Sequence, residues 1–283
     1  MKVALIANFD KSGAFETAEK IVEYLLSLGV EVLFLKSRLS DEFKDVCVFC
    51  SKDEMIKNCD VVLTIGGDGT IMHSAKFAAT YHKPILGINL GRLGYVAELE
   101  PDETEMLSCL VSGDYDIQNR SVLSVKITEK SGRSYDYIAI NDAVISRGSL
   151  SRIIDLQVSI DGADVTSYRA DGLLVATPTG STAYALSAGG PVISPDLKCI
   201  ELVPVCPHSL SARSVILSEH SVIRVKTTSP DDESYLTIDG QISERISEYD
   251  VIEIKNSELT LDMIVIKKRN FYKLASEKLN EVN

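Results

Sequence analysis

From residue 1 to about residue 110, short apolar runs alternate with segments of helical periodicity. Apolar residues between Ala18 and Leu26 recur at helical spacing, and Gly29 follows them at a position typical of a helix end. Four other runs are almost continuously apolar, as is typical of strands buried on both faces of a parallel sheet. These predicted strands are Lys2–Ala7, Glu31–Leu35, Val61–Ile65 and Pro84–Asn89. The alternation predicts an α/β domain built from βαβ units.

From about residue 117 onward, the apolar runs are short, often alternate with polar residues and are separated by turn residues. Such runs indicate strands, and examples are Leu123–Ile127, Tyr137–Ile140 and Val222–Val225. The segment near residues 180–188 differs, because Pro178 precedes it and Gly189-Gly190-Pro191 follows it. This bracketing predicts a short helix that glycine ends. The second half is therefore predicted to be predominantly β.

This change of pattern predicts a domain boundary near residues 110–120. We assign an α/β domain to residues 1–115, a β-rich domain to residues 116–268 and a C-terminal segment to residues 269–283. The C-terminal segment contains a predicted helix, Phe271–Val282, which we expect to pack back on the first domain.

Composition and charge exclude several classes of protein. Hydrophobic residues make up 45% of the chain and charged residues 25%, as in ordinary globular proteins. The formal net charge of −12 argues against a general nucleic-acid or anionic-membrane binder, because such proteins need a basic surface. No apolar run approaches the roughly 18 residues of a membrane span, and the N-terminal apolar stretch is too short for a signal peptide. We therefore expect a cytoplasmic protein without nucleic-acid or membrane partners.

The 6 cysteines are scattered along the chain, without the density of a disulfide-stapled secreted protein. We therefore expect reduced thiols. Cys47 and Cys50 form a CxxC pair, but zinc would need a second pair of ligands at a similar spacing, which the chain lacks. We interpret this pair as two buried or half-buried thiols.

The first candidate chemistry lies between a predicted strand and a predicted helix, in Gly66-Gly67-Asp68-Gly69-Thr70. In an open parallel sheet, ligands bind beyond the carboxyl ends of the strands, where glycines let backbone N–H groups approach a phosphate. Gly66, Gly67, Gly69 and Thr70 are thus a candidate phosphate loop. The carboxylate of Asp68 suits a base or an orienting group for an attacking hydroxyl, which indicates phosphoryl transfer. The alternative is a strand-to-helix turn without a catalytic role.

A second glycine-rich segment, Gly87–Tyr95, stands at the end of the next predicted strand. If the two strands are neighbours in the sheet, their loops line one crevice. If they are not, the segment is an unrelated surface turn. Neither glycine-rich loop identifies a substrate by itself.

A third segment, Tyr168–Pro191, leads from a strand through a polar turn into a short helix. Tyr184 and Ser187 are three residues apart and share a helix face, while Thr182 and Ala183 lie in the first turn beside free backbone N–H groups. A nucleotide can be held in this way. The alternative is a well-capped connecting helix.

Six motifs stand in the order in which one enzyme family carries them. They are GGDGT, the NLGxLG stretch, Asn141-Asp142, DGLLVATPTGSTAYALSAGGP, Pro207-His208-Ser209-Leu210 and Asp239-Gly240-Gln241. With these motifs the chain resembles the NAD kinase family over about residues 60–245. GGDGT also occurs in diacylglycerol and sphingosine kinases, whereas the stretch around TPTGSTAY is specific to NAD kinases. The resemblance implies an α/β N-terminal domain and a β-sandwich C-terminal domain.

The resemblance also implies an activity, which is phosphate transfer to the 2′-hydroxyl of the adenosine ribose of NAD, giving NADP. ATP or inorganic polyphosphate is the implied donor, with a divalent metal ion, magnesium being the expected one. Asp68 matches the family's proton acceptor. A homodimer or homotetramer is the implied assembly.

The implied substrate-binding set follows from matching positions. Besides Asp68, the set consists of Gly69, His73, Asn141, Asp142, Arg152, Arg169, Asp171, Thr182, Ala183, Tyr184, Ala185, Leu186, Ser187 and Gln241. His73 and Arg152 occupy family positions whose residue type varies. Without the resemblance, Asn141-Asp142 would predict a hairpin turn between Ile138–Ile140 and Val144–Ile145.

The chain departs from the family pattern at Ser214, where proline is usual, and at Cys206, where a small residue is common. Neither position touches the implied chemistry. Two other functions stay open at this point. A lipid kinase could use the same GGDGT loop but would need an apolar channel or a membrane-facing surface. A non-catalytic NAD(H) or NADP(H) sensor could keep the pocket without turnover.

Overall fold

The computed structural model describes residues 1–36, 42–43, 45–49, 51–91, 94–148, 153–228 and 234–281. The chain divides into two compact units. Unit 1 comprises Met1–Asn119 and Leu259–Asn283, and unit 2 comprises Arg120–Glu258. Within the described residues, no helix combines the length and apolar character needed to cross a membrane.

Unit 1 is an α/β unit. Its elements are β1 (Lys2–Ala7), α1 (Ala14–Ser27), β2 (Glu31–Leu35), β3 (Cys47–Phe49), α2 (Lys52–Asn58), β4 (Val61–Gly66), α3 (Asp68–Thr80), β5 (Ile85–Asn89), a 3₁₀ helix (Pro101–Leu107) and α4 (Ser108–Ser112). After unit 2, the chain returns with α6 (Phe271–Glu281). All four predicted strands are confirmed, and the predicted helices after β1 and β4 are present.

The strands of unit 1 form a parallel sheet in the order β5-β4-β1-β2-β3. Strands β4 and β5 are neighbours, with Ile65 opposite Ile88 and Gly66 opposite Asn89. Their carboxyl ends therefore lie side by side, as the crevice hypothesis requires. The core between the sheet and α1 contains buried side chains such as Leu5 and Leu25.

Unit 2 is rich in strands. Its elements are β6 (Asp116–Thr128), β7 (Ser134–Ala139), β8 (Asp142–Arg147), β9 (Ile154–Ile160), β10 (Ala163–Ala170), β11 (Gly172–Ala176), a 3₁₀ turn (Gly180–Thr182), α5 (Tyr184–Ser187), β12 (Cys199–Val205), β13 (Val215–Ser218), β14 (Ile223–Thr227), β15 (Ser234–Ile238), β16 (Ile242–Ile246) and β17 (Val251–Val265). Strand β6 begins in unit 1, and β17 ends there. The first part of β17 pairs with β14, and its last part pairs with β5 through Met263 and Ile85.

Two sheets build unit 2. One is antiparallel in the order β13-β12-β11-β8-β15-β16, and the other contains β10, β9, β14 and the first part of β17, with β6 paired to β7. Buried residues from both sheets share one core, for example Ile145, Val175 and Leu202 of the first with Leu156 and Val225 of the second. The expected fold class, an α/β N-terminal part and a strand-rich C-terminal part, is confirmed.

Some local features differ from what the sequence pattern alone indicates. Asn141-Asp142 is not the hairpin turn that the local pattern would predict without the family resemblance, because β7 pairs with β6 whereas β8 pairs with β11 and β15 in the other sheet. The short helix predicted near 180–188 is present as α5, but it is shorter than predicted because Ala183, whose φ and ψ of −101° and −124° are not helical, separates it from the 3₁₀ turn. Cys47 is exposed rather than buried, and Cys50 lies outside the described residues.

Other elements were missed or are partly confirmed. The strand β3 has only three residues and α2 only seven, so neither gives a periodic signal. The predicted C-terminal helix is present as Phe271–Glu281, and Val282 lies outside the described residues. Before this helix, backbone N–H groups of Ile266 and Lys267 donate to Glu98 Oε1 within unit 1.

Candidate functional site

The candidate phosphate loop joins β4 directly to α3. Gly66 ends the strand, Gly67 is the N-cap residue in an extended conformation and Asp68 is the first helical residue. A Cβ at Gly66 would come within 2.4 Å of Thr70 Oγ1, so the loop packs its own threonine side chain against the first glycine. The Leu90 N–H donates to Gly66 O at 2.6 Å, which ties this loop to the chain after β5.

The carboxylate of Asp68 reinforces that connection. Its Oδ2 accepts the Tyr95 N–H at 2.8 Å, and its Oδ1 accepts the Val96 N–H at 3.4 Å. A Cβ at Gly94 would lie 2.0 Å from Asp68 Oδ1, so glycine is required there for the carboxylate to reach the backbone. An ionised carboxylate offers about four lone-pair positions, so these two bonds leave room for a ligand hydroxyl.

A cavity of about 540 Å³ opens beside this loop at the carboxyl ends of β1, β2 and β4. It is lined by Ile6, Ala7, Asn8, Lys11, Leu35, Lys52, Gly67, Gly69, Thr70 and His73. His73 is exposed on α3, with its ring 6.4 Å from that of Phe77. The sequence did not single out Lys11 and Lys52. In the sequence, Lys11 stands shortly after the predicted strand Lys2–Ala7, and this strand pairs with β4 in the structure.

In unit 2, Asn141 and Asp142 are held by an acidic residue from a distant part of the chain. The carboxylate of Asp239 accepts backbone N–H groups from Ile140, Asn141 and Asp142 at 2.9, 2.7 and 3.1 Å. Asp142 is buried, and its burial, together with the charge of Asp239, raises the pKa of Asp142 to about 7. The Asp239 side chain therefore fixes the start of β8. Gln241, on the same turn, is exposed and donates its N–H to Ile238 O at 2.9 Å.

The TPTGST turn packs against the backbone of Asn141. Thr177 donates its N–H to Asn141 O at 2.8 Å and its hydroxyl to Ile140 O at 2.6 Å. A Cβ at Gly180 would lie 2.1 Å from Asn141 O, so no larger residue fits unless backbone moves. The hydroxyl of Ser181 accepts the Ile193 N–H at 3.0 Å and so closes the far side of the turn.

Helix α5 presents the side chains of Tyr184 and Ser187 to solvent. Ala185 is buried beside Val203 and anchors the helix to the sheet. The Ala183 N–H donates to Gly180 O at 2.9 Å and is therefore already paired within the turn. The remaining predicted residues of this segment, Thr182, Ala183 and Leu186, are half-buried.

Asp171 and Arg169 lie elsewhere in unit 2. Asp171 precedes β11 and forms a 2.8 Å salt bridge with Arg147, whereas Thr177 follows the other end of the same strand. At about 3.3 Å per residue, the five residues of β11 separate these ends by roughly 17 Å. Unit 2 therefore does not bring Asp171 next to Asn141. Arg169 is exposed and lines a cavity of about 260 Å³. Arg152 lies outside the described residues.

Two ionisable residues near the TPTGST segment gave no sequence signal. Arg120 donates to Thr179 Oγ1 at 3.4 Å, and burial lowers the pKa of Arg120 to about 10. Glu201 is fully buried on β12, and its carboxyl oxygens have no hydrogen-bond partner among the described residues. Its Oε1 lies 2.2 Å from the position that a Cβ would take on Gly190. Burial raises the pKa of Glu201 to about 7.

Comparison with known proteins assigns both parts of the chain. Residues 3–115 match the family model described as the ATP-NAD kinase N-terminal domain, and residues 140–266 match the ATP-NAD kinase C-terminal domain. The chain belongs to the NAD kinase family. The family resemblance of the motifs is thereby confirmed.

Individual NAD kinases support the assignment. The NAD kinase of Carboxydothermus hydrogenoformans is 40% identical over 232 residues, which covers 82% of this chain and 83% of that protein. The NAD kinase of Caldanaerobacter subterraneus subsp. tengcongensis is 36% identical over 284 residues, covering 99% of both proteins.

Two solved structures share the fold. Yeast NADH kinase complexed with NADH has 28% identity and a TM-score of 0.90, and the match covers 100% of this chain and 88% of that chain. The NAD kinase from Archaeoglobus fulgidus in complex with ATP has 26% identity and a TM-score of 0.77, covering 100% of both chains. Both matches extend over unit 1 and unit 2.

Proposed function

We propose that this NAD kinase family member transfers the terminal phosphate of ATP to the 2′-hydroxyl of the adenosine ribose of NAD, giving NADP. The observation that carries the proposal is the placement of Asp68. Its carboxylate lies at the exits of two neighbouring parallel strands, where the GGDGT loop and the chain after β5 are tied together. Inorganic polyphosphate is the alternative donor.

In the proposed reaction, the 2′-oxygen attacks the terminal phosphorus in line with the leaving group. A bond forms between these two atoms, the bond from phosphorus to the bridging oxygen breaks, and ADP leaves with the electron pair. Asp68 orients the hydroxyl and accepts its proton, which passes on to solvent. The phosphate loop, Gly66, Gly67, Gly69 and Thr70, supports the transferring phosphate through its backbone N–H groups other than that of Thr70, which donates to Gly67 O.

A divalent metal ion, magnesium in this proposal, fits as an ion carried on the donor's phosphates. Across the described residues, no group of three or more His, Cys, Asp or Glu is arranged to hold a metal. Magnesium commonly binds one or two carboxylates together with substrate phosphates, and Asp68 is a carboxylate at this loop. When bound, the metal would neutralise charge on the phosphate oxygens.

The dinucleotide contacts are proposed from the family positions. In unit 2 they comprise Asn141, Asp142, Arg152, Arg169, Asp171, Thr182, Ala183, Tyr184, Ala185, Leu186, Ser187 and Gln241, and in unit 1 they comprise Asp68, Gly69 and His73. The buried Asp142 suits this role, since a carboxyl with a pKa of about 7 can donate as well as accept near neutral pH.

Location and assembly are part of the same proposal. We place the enzyme in the cytoplasm, in keeping with the free thiols of Cys47, Cys59, Cys109, Cys199 and Cys206. We also infer a homodimer or homotetramer, which sedimentation would check.

The deciding experiment is a coupled assay of NADP formation from NAD, with magnesium and either ATP or polyphosphate. Wild-type protein should give product, and Asp68→Asn should lower kcat by about 10²–10⁴-fold while largely keeping NAD affinity. Asp114→Asn, an exposed acid-to-amide change in the same unit, is the matched control. Near-normal turnover of Asp68→Asn would remove Asp68 from the mechanism. Absence of product from the wild type with every donor would favour the NAD sensor or the lipid kinase.

A further inference from the structure

The cavity beside the GGDGT loop contains two lysines that the proposed reaction does not yet use. Lys11 follows β1 and Lys52 begins α2, so they reach the cavity from different elements. We propose that Lys11 is a positioning residue that holds the donor's phosphate chain above Gly67, and that Lys52 binds the same chain further along the sheet edge. This inference rests on the proposed function.

Local charge is the first argument. The whole chain carries a formal charge of −12, yet among the described residues the lining of this cavity includes Lys11 and Lys52 and contains no aspartate or glutamate. A larger cavity of about 630 Å³ in unit 2 has a mixed lining that includes Glu129, Asp250 and basic residues. A positive cavity in an acidic protein is a place where an anionic ligand concentrates.

The position of Lys11 is the second argument. Its Nζ lies 2.6 Å from the point where a Cβ on Gly67 would stand, so the ammonium group sits directly over the N-terminus of α3. The same Nζ donates to Leu90 O at 3.4 Å. An ammonium group has three donors, and within the described residues Lys11 forms no salt bridge with a carboxylate. Donors therefore remain for a phosphate oxygen.

Lys52 is only partly compensated by an anion, because the negative charge of Asp53 affects the pKa of Lys52 less than burial does. It is half-buried, its Nζ lies 5.1 Å from the centre of the Phe77 ring, and burial lowers the pKa of Lys52. No salt bridge to it is found among the described residues. A partly desolvated ammonium over an aromatic ring gains more from a bound anion than a fully solvated one does.

Strand order sets the spacing of the two lysines. The elements that carry them follow β1 and β3, which are two strands apart in the sheet. With neighbouring strands about 4.8 Å apart, the two chain segments are roughly 10 Å apart. Apolar side chains of Ile6 and Leu35 also line the cavity, and its volume of about 540 Å³ lies within the usual range for nucleotide-sized ligands. A phosphate chain that lies along the carboxyl-terminal edge of this sheet would contact Lys11 beside Gly67, and it would contact Lys52 farther along the same edge.

The test uses Lys11→Met and Lys52→Met, which keep the aliphatic stem and remove the charge, with Lys11→Arg to restore the charge. Lys20→Met, an exposed change on α1, is the control. We expect Lys11→Met to raise the KM for ATP by about 10–100-fold and Lys52→Met by about 3–10-fold, as for lost charge-assisted hydrogen bonds. The KM for NAD should stay within about twofold, and Lys11→Arg should recover most of the ATP affinity.

Calorimetry without NAD separates this inference from the proposed function. Magnesium-ATP and magnesium-tripolyphosphate are titrated into each variant, and both should bind about 10-fold or more weakly to Lys11→Met. If the wild type makes NADP but Lys11→Met binds both ligands normally, the inference fails and the function stands. If the wild type makes no NADP yet Lys11→Met loses affinity for both, the function fails and the phosphate site stands.

Two further outcomes would overturn the inference. Weaker binding of ATP alone, with tripolyphosphate unchanged, would mean that Lys11 recognises the nucleoside. An equal loss of ATP and NAD affinity together with a lower Tm would mean that Lys11 acts only by holding Leu90 O. The Lys11→Arg variant keeps a donor to Leu90 O and should therefore keep the Tm in either case.

Discussion

Each unit of this protein uses an aspartate to fix backbone near its candidate site, but the two surroundings differ. Asp68 in unit 1 accepts two backbone N–H groups beside an open, positively charged cavity. Asp239 in unit 2 accepts three such groups beside the buried carboxyl of Asp142. The site in unit 1 therefore favours phosphate, because it brings cations together. The site in unit 2 favours neutral polar groups, because burial keeps its carboxyls partly protonated.

After Asp68→Asn itself, the largest expected effect is that of Gly94→Ala, which tests whether the Asp68 carboxylate must keep its position. Gly94→Ala would place a Cβ 2.0 Å from Asp68 Oδ1, so the carboxylate must move. We expect kcat to fall by about 100-fold, since small displacements of a reacting group cost on that order.

A double-mutant cycle on kcat is the measurement for Gly94. If Gly94 acts through Asp68, combining Gly94→Ala with Asp68→Asn should cost no more than Asp68→Asn alone. Additive losses would show that Gly94 matters for another reason. Melting temperatures of the three variants control for unfolding.

The next largest effect is a pH dependence of stability, which arises from the buried acid Glu201 in unit 2. The pKa of Glu201 is about 7 in the folded protein against an ordinary value of 4.5. The folded state therefore keeps a proton that the unfolded state loses, so the free energy of unfolding falls as pH rises from about 4.5 to 7. The fall amounts to at most about 3 kcal/mol.

Glu201→Gln should lack the part of this fall that Glu201 causes, while the part caused by Asp142, whose pKa is also raised to about 7, remains. It should be more stable than the wild type at pH 8, by an amount that shrinks toward zero near pH 4.5. Denaturant unfolding at several pH values measures the difference, and Glu19→Gln, an exposed change on α1, is the control. Parallel stability profiles for wild type and Glu201→Gln would contradict the assignment of a neutral buried acid.

The smallest expected effect concerns how tightly the glycines of the two sites are packed. Gly180→Ala would meet the backbone oxygen of Asn141, whereas Gly66→Ala would meet the side chain of Thr70. We expect Gly180→Ala to lower the free energy of unfolding by about 1–3 kcal/mol, as overpacking does, and to weaken NAD binding.

A rescue experiment completes this comparison. Thr70→Gly should relieve much of the cost of Gly66→Ala, because it removes the atoms that clash. No side-chain change at Asn141 should relieve Gly180→Ala, because the clash is with backbone. Thermal unfolding of the four variants checks both statements, and a rescue of Gly180→Ala by Asn141→Ala would refute the second.

Much of unit 1 was predictable because its strands are continuous apolar runs buried on both faces. Lys2–Ala7 and Glu31–Leu35 were predicted residue for residue. The strand β3 and helix α2 were missed, because three and seven residues give too little periodicity. In unit 2, the chain after Ala139 crosses from one sheet to the other. A local turn signal at Asn141-Asp142 would by itself predict a hairpin, which the pairing of β8 with β11 and β15 excludes.

For the candidate site, the sequence alone determined the fold class, the family resemblance and the position of Asp68 between a strand and a helix. These follow from local patterns, since burial periodicity and glycine-rich turns act over a few residues. Only the tertiary structure decided that Asp68 accepts hydrogen bonds from Tyr95 and Val96, that Lys11 lies over Gly67 and that the Glu201 carboxyl is buried without a hydrogen-bond partner among the described residues. The contacts of Asp68 and Lys11 join segments far apart in sequence, and sheet order, which local patterns do not encode, brings these segments together.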